Sequence, residues 1–323
     1  MRFLLLLNVV SLIIIVALSG SPQTFAVEQP SAIPAWLRAH VGKGDGQIAP
    51  VVLQRARSLY LQKTSEGAVK SPCYFAMDAT RPAGFGRRFY IICEGNQTFR
   101  AVPSGHGSGR NVAGANFTNG IQCAKNFSNA TDSKLTTGGA YVTDETITRF
   151  KGYYRNASGK YTAFNRSFVQ FDGEGDTANA RPRAIGGHPA AVLRVACLRK
   201  DPDSPYANND GYVPFGKLVD YPAGRSNGCT SWSQSDAAKI IPMMKEPSTL
   251  YIYPESADID AVAKTVKAGR LPSRAGLYWN ASCLSAIGSP KFWAKETLEP
   301  ILVKYAKDHP PPPAQPTPIC KGQ

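Results

Sequence analysis

The stretch GRSNGCTSW, residues 224–232, sets one cysteine, Cys229, among Gly, Ser, Asn and Thr, a composition that makes a turn and not a packed core. A thiol that attacks a carbonyl has to be partly ionised, close to a base, and beside backbone N–H groups that can hold an oxyanion. Gly228 permits a tight turn that gathers such amides, Arg225 brings positive charge, and Ser226 and Asn227 add polar groups. The segment SWSQSDAAKIIPMM predicts a short helix, with Ser233 as its N-cap and its positive end turned toward a thiolate. The base must come from elsewhere, and the chain has four histidines. His40 lies in the leader and His309 precedes a proline run, whereas His106 (PSGHGSGR) and His188 (RAIGGHPAA, with Gly187 before it) lie in Gly-rich stretches of a β region. A disulfide is the competing use of Cys229, and the turn by itself does not choose between the two.

Compartment and cysteine count narrow the choice. Arg2 is followed by the apolar run FLLLLNVVSLIIIVAL and then by SGSPQTFAVEQ, where Thr24 and Ala26 form a small-residue cleavage pattern, so residues 1–26 read as a secretory signal peptide. The run is short for a spanning helix. The mature chain then lives where cysteines pair, and its seven cysteines are an odd number, so at least one is left over. In CYFAMDATRPAGFGRRFYIIC, Cys73 and Cys93 lie equidistant from a turn, and a hairpin there brings them face to face. The other five are not assignable this way. A net charge of +14 points to an anionic neighbourhood, outside the cytoplasm a cell-wall polymer or membrane surface more readily than nucleic acid.

The elements that would position these groups fall into three stretches. Residues 27–70 are an irregular leader followed by the amphipathic pattern VVLQRARSLYLQKT, with Val52, Ala56, Leu59 and Tyr60 on one stripe. Residues 71–255 are short β-rich runs between Gly/Asn/Asp/Ser clusters, the pattern of a mostly antiparallel sheet with long loops. Residues 256–323 carry the helical patterns IDAVAKTVKAG and KFWAKETLEPILVKYAKD and end in HPPPPAQPTPICKGQ. If Cys320 is paired, that proline-rich tail becomes a stiff strap. The fold class is mainly β with peripheral helices.

Four stretches in order, VPSGHGSG (102–109), NFSNATDSKLTTGGAYVT (126–143), RAIGGHPA (183–190) and GRSNGCTSW, resemble the L,D-transpeptidase (YkuD-like) family, in its murein L,D-transpeptidase branch. The resemblance implies a YkuD-like β-sandwich with the cysteine on a loop between strands, Cys229 as nucleophile and His188 as general base. It implies an oxyanion and substrate-binding loop at Ser226, Asn227 and Gly228, with Arg225 and Gly187 beside it. Most relatives have a histidine where Asn227 stands, and His106 is the candidate for an equivalent group. Pro189 replaces a glycine common in relatives and removes an N–H.

The implied reaction is acyl transfer on peptidoglycan stem peptides through a Cys229 thioester in the periplasm, by a monomer working close to the membrane. No cofactor is implied, and no His/Cys/Asp cluster has metal spacing. The added tail and absent histidine favour a link from L-Ala to diaminopimelate (1→3) over the 3→3 link. The alternatives are an L,D-carboxypeptidase on the same stems and a non-enzymatic wall-binding protein with Cys229 bridged. Papain-like and NlpC-like peptidases are disfavoured because their cysteine precedes the histidine, whereas here Cys229 follows His188 by 41 residues.

Overall fold

The computed structural model describes residues 33–84 and 86–321, so the signal peptide read at 1–26 lies outside the described residues. Among those described, no helix is long and apolar enough to cross a membrane. The chain is mainly β, organised by one ten-stranded sheet. Its strand order is Thr230–Trp232, Gly186–Pro189, Tyr161–Gly173, Gly139–Arg155, Thr249–Tyr253, Cys73–Asp78, Arg87–Cys93, Thr98–Pro103. The hairpin Val192–Lys200/Tyr212–Val219 joins the far half of Gly139–Arg155. Most of its ladders are antiparallel, as the pattern predicts, and the sheet is mixed because a few are parallel. Thr249–Tyr253 runs parallel to Cys73–Asp78 and Gly186–Pro189 runs parallel to Thr230–Trp232, pairings that require long crossovers.

Successive residues of the first hairpin alternate between two cores. Phe75, Met77, Phe89 and Ile91 enter the larger one, while Tyr74, Ala76, Tyr90 and Ile92 pack against the helix Pro50–Ser65. That helix begins with Pro50, whose fixed φ suits the first helical position, and buries Val52, Leu53, Ala56 and Leu59. Tyr60, predicted on the same stripe, is half-buried and stacks on Tyr74. In a flat sheet, Trp232 on the edge strand would lie roughly 30 Å from Phe89, six strands away at about 4.8 Å each. Their ring centroids are 4.9 Å apart. The sheet therefore curls until its ends meet, and Gly105 N–H bonds the carbonyl of Ser231 at 2.8 Å across the join. The active-site candidates lie beside this closure.

Three disulfides fit an oxidising compartment. Cys73 pairs with Cys93, directly opposite in the hairpin register as the sequence symmetry predicts. Cys123 pairs with Cys283, and Cys197 with Cys320. The helices after Tyr253 share the same cores: Ile259 and Val262 pack in the main one. KFW, read as the start of a helix, is instead a short strand, Lys291–Trp293, parallel to Asn126–Ser128. The helix Lys295–Asp308 then buries Leu298 and Leu302 against Phe117, Ala130 and Leu135, backing the loop beneath the Cys229 turn. The tail is pinned to the strand Val192–Lys200, with Cys320 N–H on Leu198 O at 2.9 Å.

Candidate active site

The turn carrying Cys229 joins two short strands, Arg225–Ser226 and Thr230–Trp232. Ser226 closes it from inside: its Oγ donates to the carbonyl of Cys229 at 2.5 Å and accepts from Gly228 N–H at 3.2 Å. The Ser226 hydroxyl and Gly228 amide are thus partnered within the turn. Gly228 sits at φ +114°, and a Cβ there would stand 2.7 Å from the Leu135 carbonyl oxygen, so glycine is required.

Cys229 is the cysteine outside the three disulfides and is 7% exposed. Its Sγ donates to Ala184 O at 3.5 Å, and Ala184 holds that carbonyl in place from φ +51°, a left-handed conformation costly for alanine. Burial pushes the thiol pKa up; the Gly186 N–H aimed at the sulfur and the charges of Arg166 and Arg183 oppose that shift. The helix predicted after Cys229 does not contribute. Gln234–Met243 starts beyond the strand Thr230–Trp232, on the order of 10 Å along the chain. Its first amides are taken by Asp220 and by Ser233, the predicted N-cap. The positive charge near the sulfur comes from arginines instead.

His188 reaches the site through sheet register. The strand Gly186–Pro189 sets Gly187 opposite Thr230 and His188 opposite Ser231, so the two sequence-distant motifs become neighbours. Gly187 is a packing position: a Cβ there would lie 2.3 Å from the Trp232 indole. Burial first, and the Arg166 charge second, lower the His188 pKa to about 4. The ring is therefore neutral at physiological pH beside a neutral thiol.

His106 lies apart from the cleft. It pairs with Arg225 in a two-residue parallel ladder, is 2% exposed, and takes a hydrogen bond from Arg88 on Nδ1 at 2.8 Å. Its Nε2–H donates to Gly120 O at 3.0 Å. Burial and the Arg88 charge lower its pKa to about 3. His106 thus braces the strand that carries Arg225 and Ser226.

Cys229, His188, Asn227, Ser226 and Arg225 line one cleft of about 540 Å³. Its sheet-side wall is Ile147, Arg149 and Lys151 from one strand and Arg166, Phe168 and Gln170 from the next, alternate residues on one face. Arg183 and Ala184 complete it. Five cations line the cleft and no carboxylate does, and among the described residues none of the five forms an ion pair. A second cavity of about 460 Å³ lies against His188, Arg166 and Arg225 and is largely apolar, with Ile121, Pro189, Val192, Tyr221 and Pro222. Among the described residues no tail residue lines either cavity, so the described part of the strap does not roof the Cys229 cleft. Among the described residues no group of three or more His, Cys, Asp or Glu gathers as a metal site. Sequence reasoning had no role for Arg166, Arg183, Ala184 or Gly186; a cation at an alternating strand position, as at Arg166, was the available signal.

The two lowered histidines make folding sensitive to acid. An unfolded chain protonates both near pH 6.5, whereas the folded one does so only near 4 and 3. Below pH 6.5 the unfolded state therefore binds more protons, and stability falls with pH by on the order of 3 kcal/mol per histidine by pH 4. Denaturant melts from pH 7 to 4 should show this loss, and His106→Gln should flatten it; a slope unchanged by that substitution would contradict the assignment.

No family model matches this sequence, and no curated protein matches it. Among solved structures, an L,D-transpeptidase from Stackebrandtia nassauensis aligns over 68% of this chain and 75% of its own at 11% identity, with a TM-score of 0.22. A likeness that low decides neither fold nor chemistry, and the geometry of the cleft has to speak for itself.

Proposed function

We propose that this chain is a peptidoglycan L,D-transpeptidase that works through a Cys229 thioester in the periplasm. The observation that carries the reading is that the cysteine left outside the disulfides shares a cleft with His188 and five uncompensated cations. Stem peptides bring carboxylates to match those cations. His188 takes the thiol proton as Cys229 attacks the carbonyl of the L-configured centre of diaminopimelate; the tetrahedral oxyanion is held by amides beside the sulfur, those of Gly186 and Cys229. Collapse expels the following residue as an amine, which takes the proton from His188. An acceptor amine then gives its proton to His188, attacks the thioester and releases the thiolate, which takes that proton back from His188 to restore the resting pair. Arg225 and Asn227, both exposed at the cleft, orient the donor stem.

The acceptor favoured is the amine of L-Ala at position one of a stem already released from its muramic acid, giving the 1→3 link. The apolar cavity on the other side of His188 suits a methyl side chain better than the charged side chain of diaminopimelate. The protein acts as a monomer near the membrane, on stem peptides and not on nucleic acid, and needs no cofactor. Incubation with purified disaccharide-tetrapeptides as donors and the sugar-free tetrapeptide, whose L-Ala amine is free, as acceptor, followed by tandem mass spectrometry, tests the reading. A dimer joined at L-Ala supports it, a 3→3 junction overturns the acceptor assignment, tripeptide alone indicates an L,D-carboxypeptidase, and no product at all favours a wall-binding protein.

A further inference from the structure

Nδ1 of His188 has two neighbours that make incompatible demands. Arg166 Nη2 lies 2.7 Å from it and the Pro189 carbonyl oxygen lies 2.9 Å from it. A guanidinium only donates, so the first contact requires a bare Nδ1; a carbonyl only accepts, so the second requires Nδ1–H. One nitrogen satisfies one of them at a time. The shorter contact, with a charged donor, is the stronger, which puts the ring proton on Nε2. In that tautomer the atom left without a hydrogen bond already carries a proton, and the ring cannot accept one there.

Arg166 is also poorly settled where it is. Its Nε is buried with no hydrogen-bond partner. In the strand register it stands directly opposite Arg149, a like-charge pair on the cleft wall, and cross-strand pairs of like charge are unfavourable. It lines both cavities that flank His188. An anion in the cleft would relieve the charge and give the guanidinium a better partner than an imidazole nitrogen.

We infer that Arg166 is a positioning residue that holds His188 in its inactive tautomer at rest, and that a carboxylate on the bound donor draws Arg166 off Nδ1 and frees the base. The proton then sits on Nδ1, donated to Pro189 O, and the Nε2 lone pair can take the Cys229 proton. The ring exchanges its proton with water during the change and gains no net charge. This rests on the reading of Cys229 and His188 as a nucleophile–base pair. It adds that a donor lacking the carboxylate should be turned over slowly even when it binds, because the base stays blocked.

The test uses the mature protein, its Arg166→Met variant, which keeps side-chain length without a donor, and Arg166→Lys, which keeps one. Nitrogen-15 spectra of labelled histidine, assigned with His188→Gln, report the tautomer directly. The parent should show Nε2–H, Arg166→Met should show Nδ1–H, Arg166→Lys should stay with the parent, and adding glutarate as a dicarboxylate probe should move the parent toward the Arg166→Met pattern. Acylation of Cys229 by the neutral ester p-nitrophenyl acetate, followed by intact mass, should be about tenfold or more faster in Arg166→Met. Turnover of the tetrapeptide donor should fall in the same variant. A merely structural arginine would slow both reactions. Nδ1–H in the resting parent, or ester acylation slowed or unchanged by Arg166→Met, overturns the inference while leaving the nucleophile intact. No acylation at Cys229 in any of these proteins sinks the proposed function along with it.

Discussion

Cys229→Ala reduces turnover of stem peptides to background, and the variant melts close to the parent. In the proposed reaction the side chain supplies the attacking sulfur, and no other thiol is available, since the other six cysteines are joined in pairs. Its structural share is small: a weak contact to Ala184 O, the Gly186 N–H aimed at its sulfur, and a volume little larger than a methyl group. Loss of that packing costs roughly 1 kcal/mol, whereas loss of a structural disulfide costs about 2–5 kcal/mol. Product formation by mass spectrometry and a denaturant melt on the same preparation separate the two. Turnover retained in Cys229→Ala would place the nucleophile elsewhere, and a collapsed melt would make the cysteine a packing residue.

His188→Gln lowers kcat by about 10²–10⁴-fold with a much smaller change in KM, as removal of a general base does. Glutamine offers both an acceptor for Arg166 and a donor for Pro189 O on a side chain of similar reach, so the strand Gly186–Pro189 holds its register with Thr230–Trp232. The control is His106→Gln. It loosens the bonds to Arg88 and Gly120 and lowers stability, but should leave kcat per folded molecule within about threefold, because His106 does not line the cleft. Steady-state kinetics on both variants decide it. A kcat for His188→Gln near that of the parent would remove His188 from the chemistry, and a large kcat loss in His106→Gln would bring that residue into it.

The parts of the molecule legible in the sequence are those set by local rules. Cys73 and Cys93 were readable because a hairpin's symmetry fixes which residues face each other. The helix Pro50–Ser65 and the strand Thr249–Tyr253 followed from periodicity and composition. An odd cysteine count required a leftover thiol, but which cysteine it was depended on partners 160 and 123 residues apart, a matter of tertiary packing. That His188 and Cys229 would line one cleft was suggested only through resemblance, because the parallel pairing that brings their segments together joins strands not adjacent in sequence. Arg149, Lys151 and Arg166 carried no assignment from the sequence, and it is the pairing of their strands that sets them on one cleft wall. The helix after Cys229 was placed correctly along the chain, yet its dipole is used elsewhere because three residues of strand intervene.

The burial of Cys229 also bears on survival. A thiol in an oxidising compartment is exposed to small disulfides and peroxides, and the rate at which they capture it follows its access and its thiolate fraction. Here both are low: Cys229 is 7% exposed and burial keeps its proton on. Three pairs of cysteines are joined and staple the body, while the same fold shields the seventh and makes it a poor target for such oxidants. Shelf life and reactivity are thus set by one property of one side chain, and any change that opens the cleft to hasten the chemistry also shortens the time for which the sulfur remains a thiol.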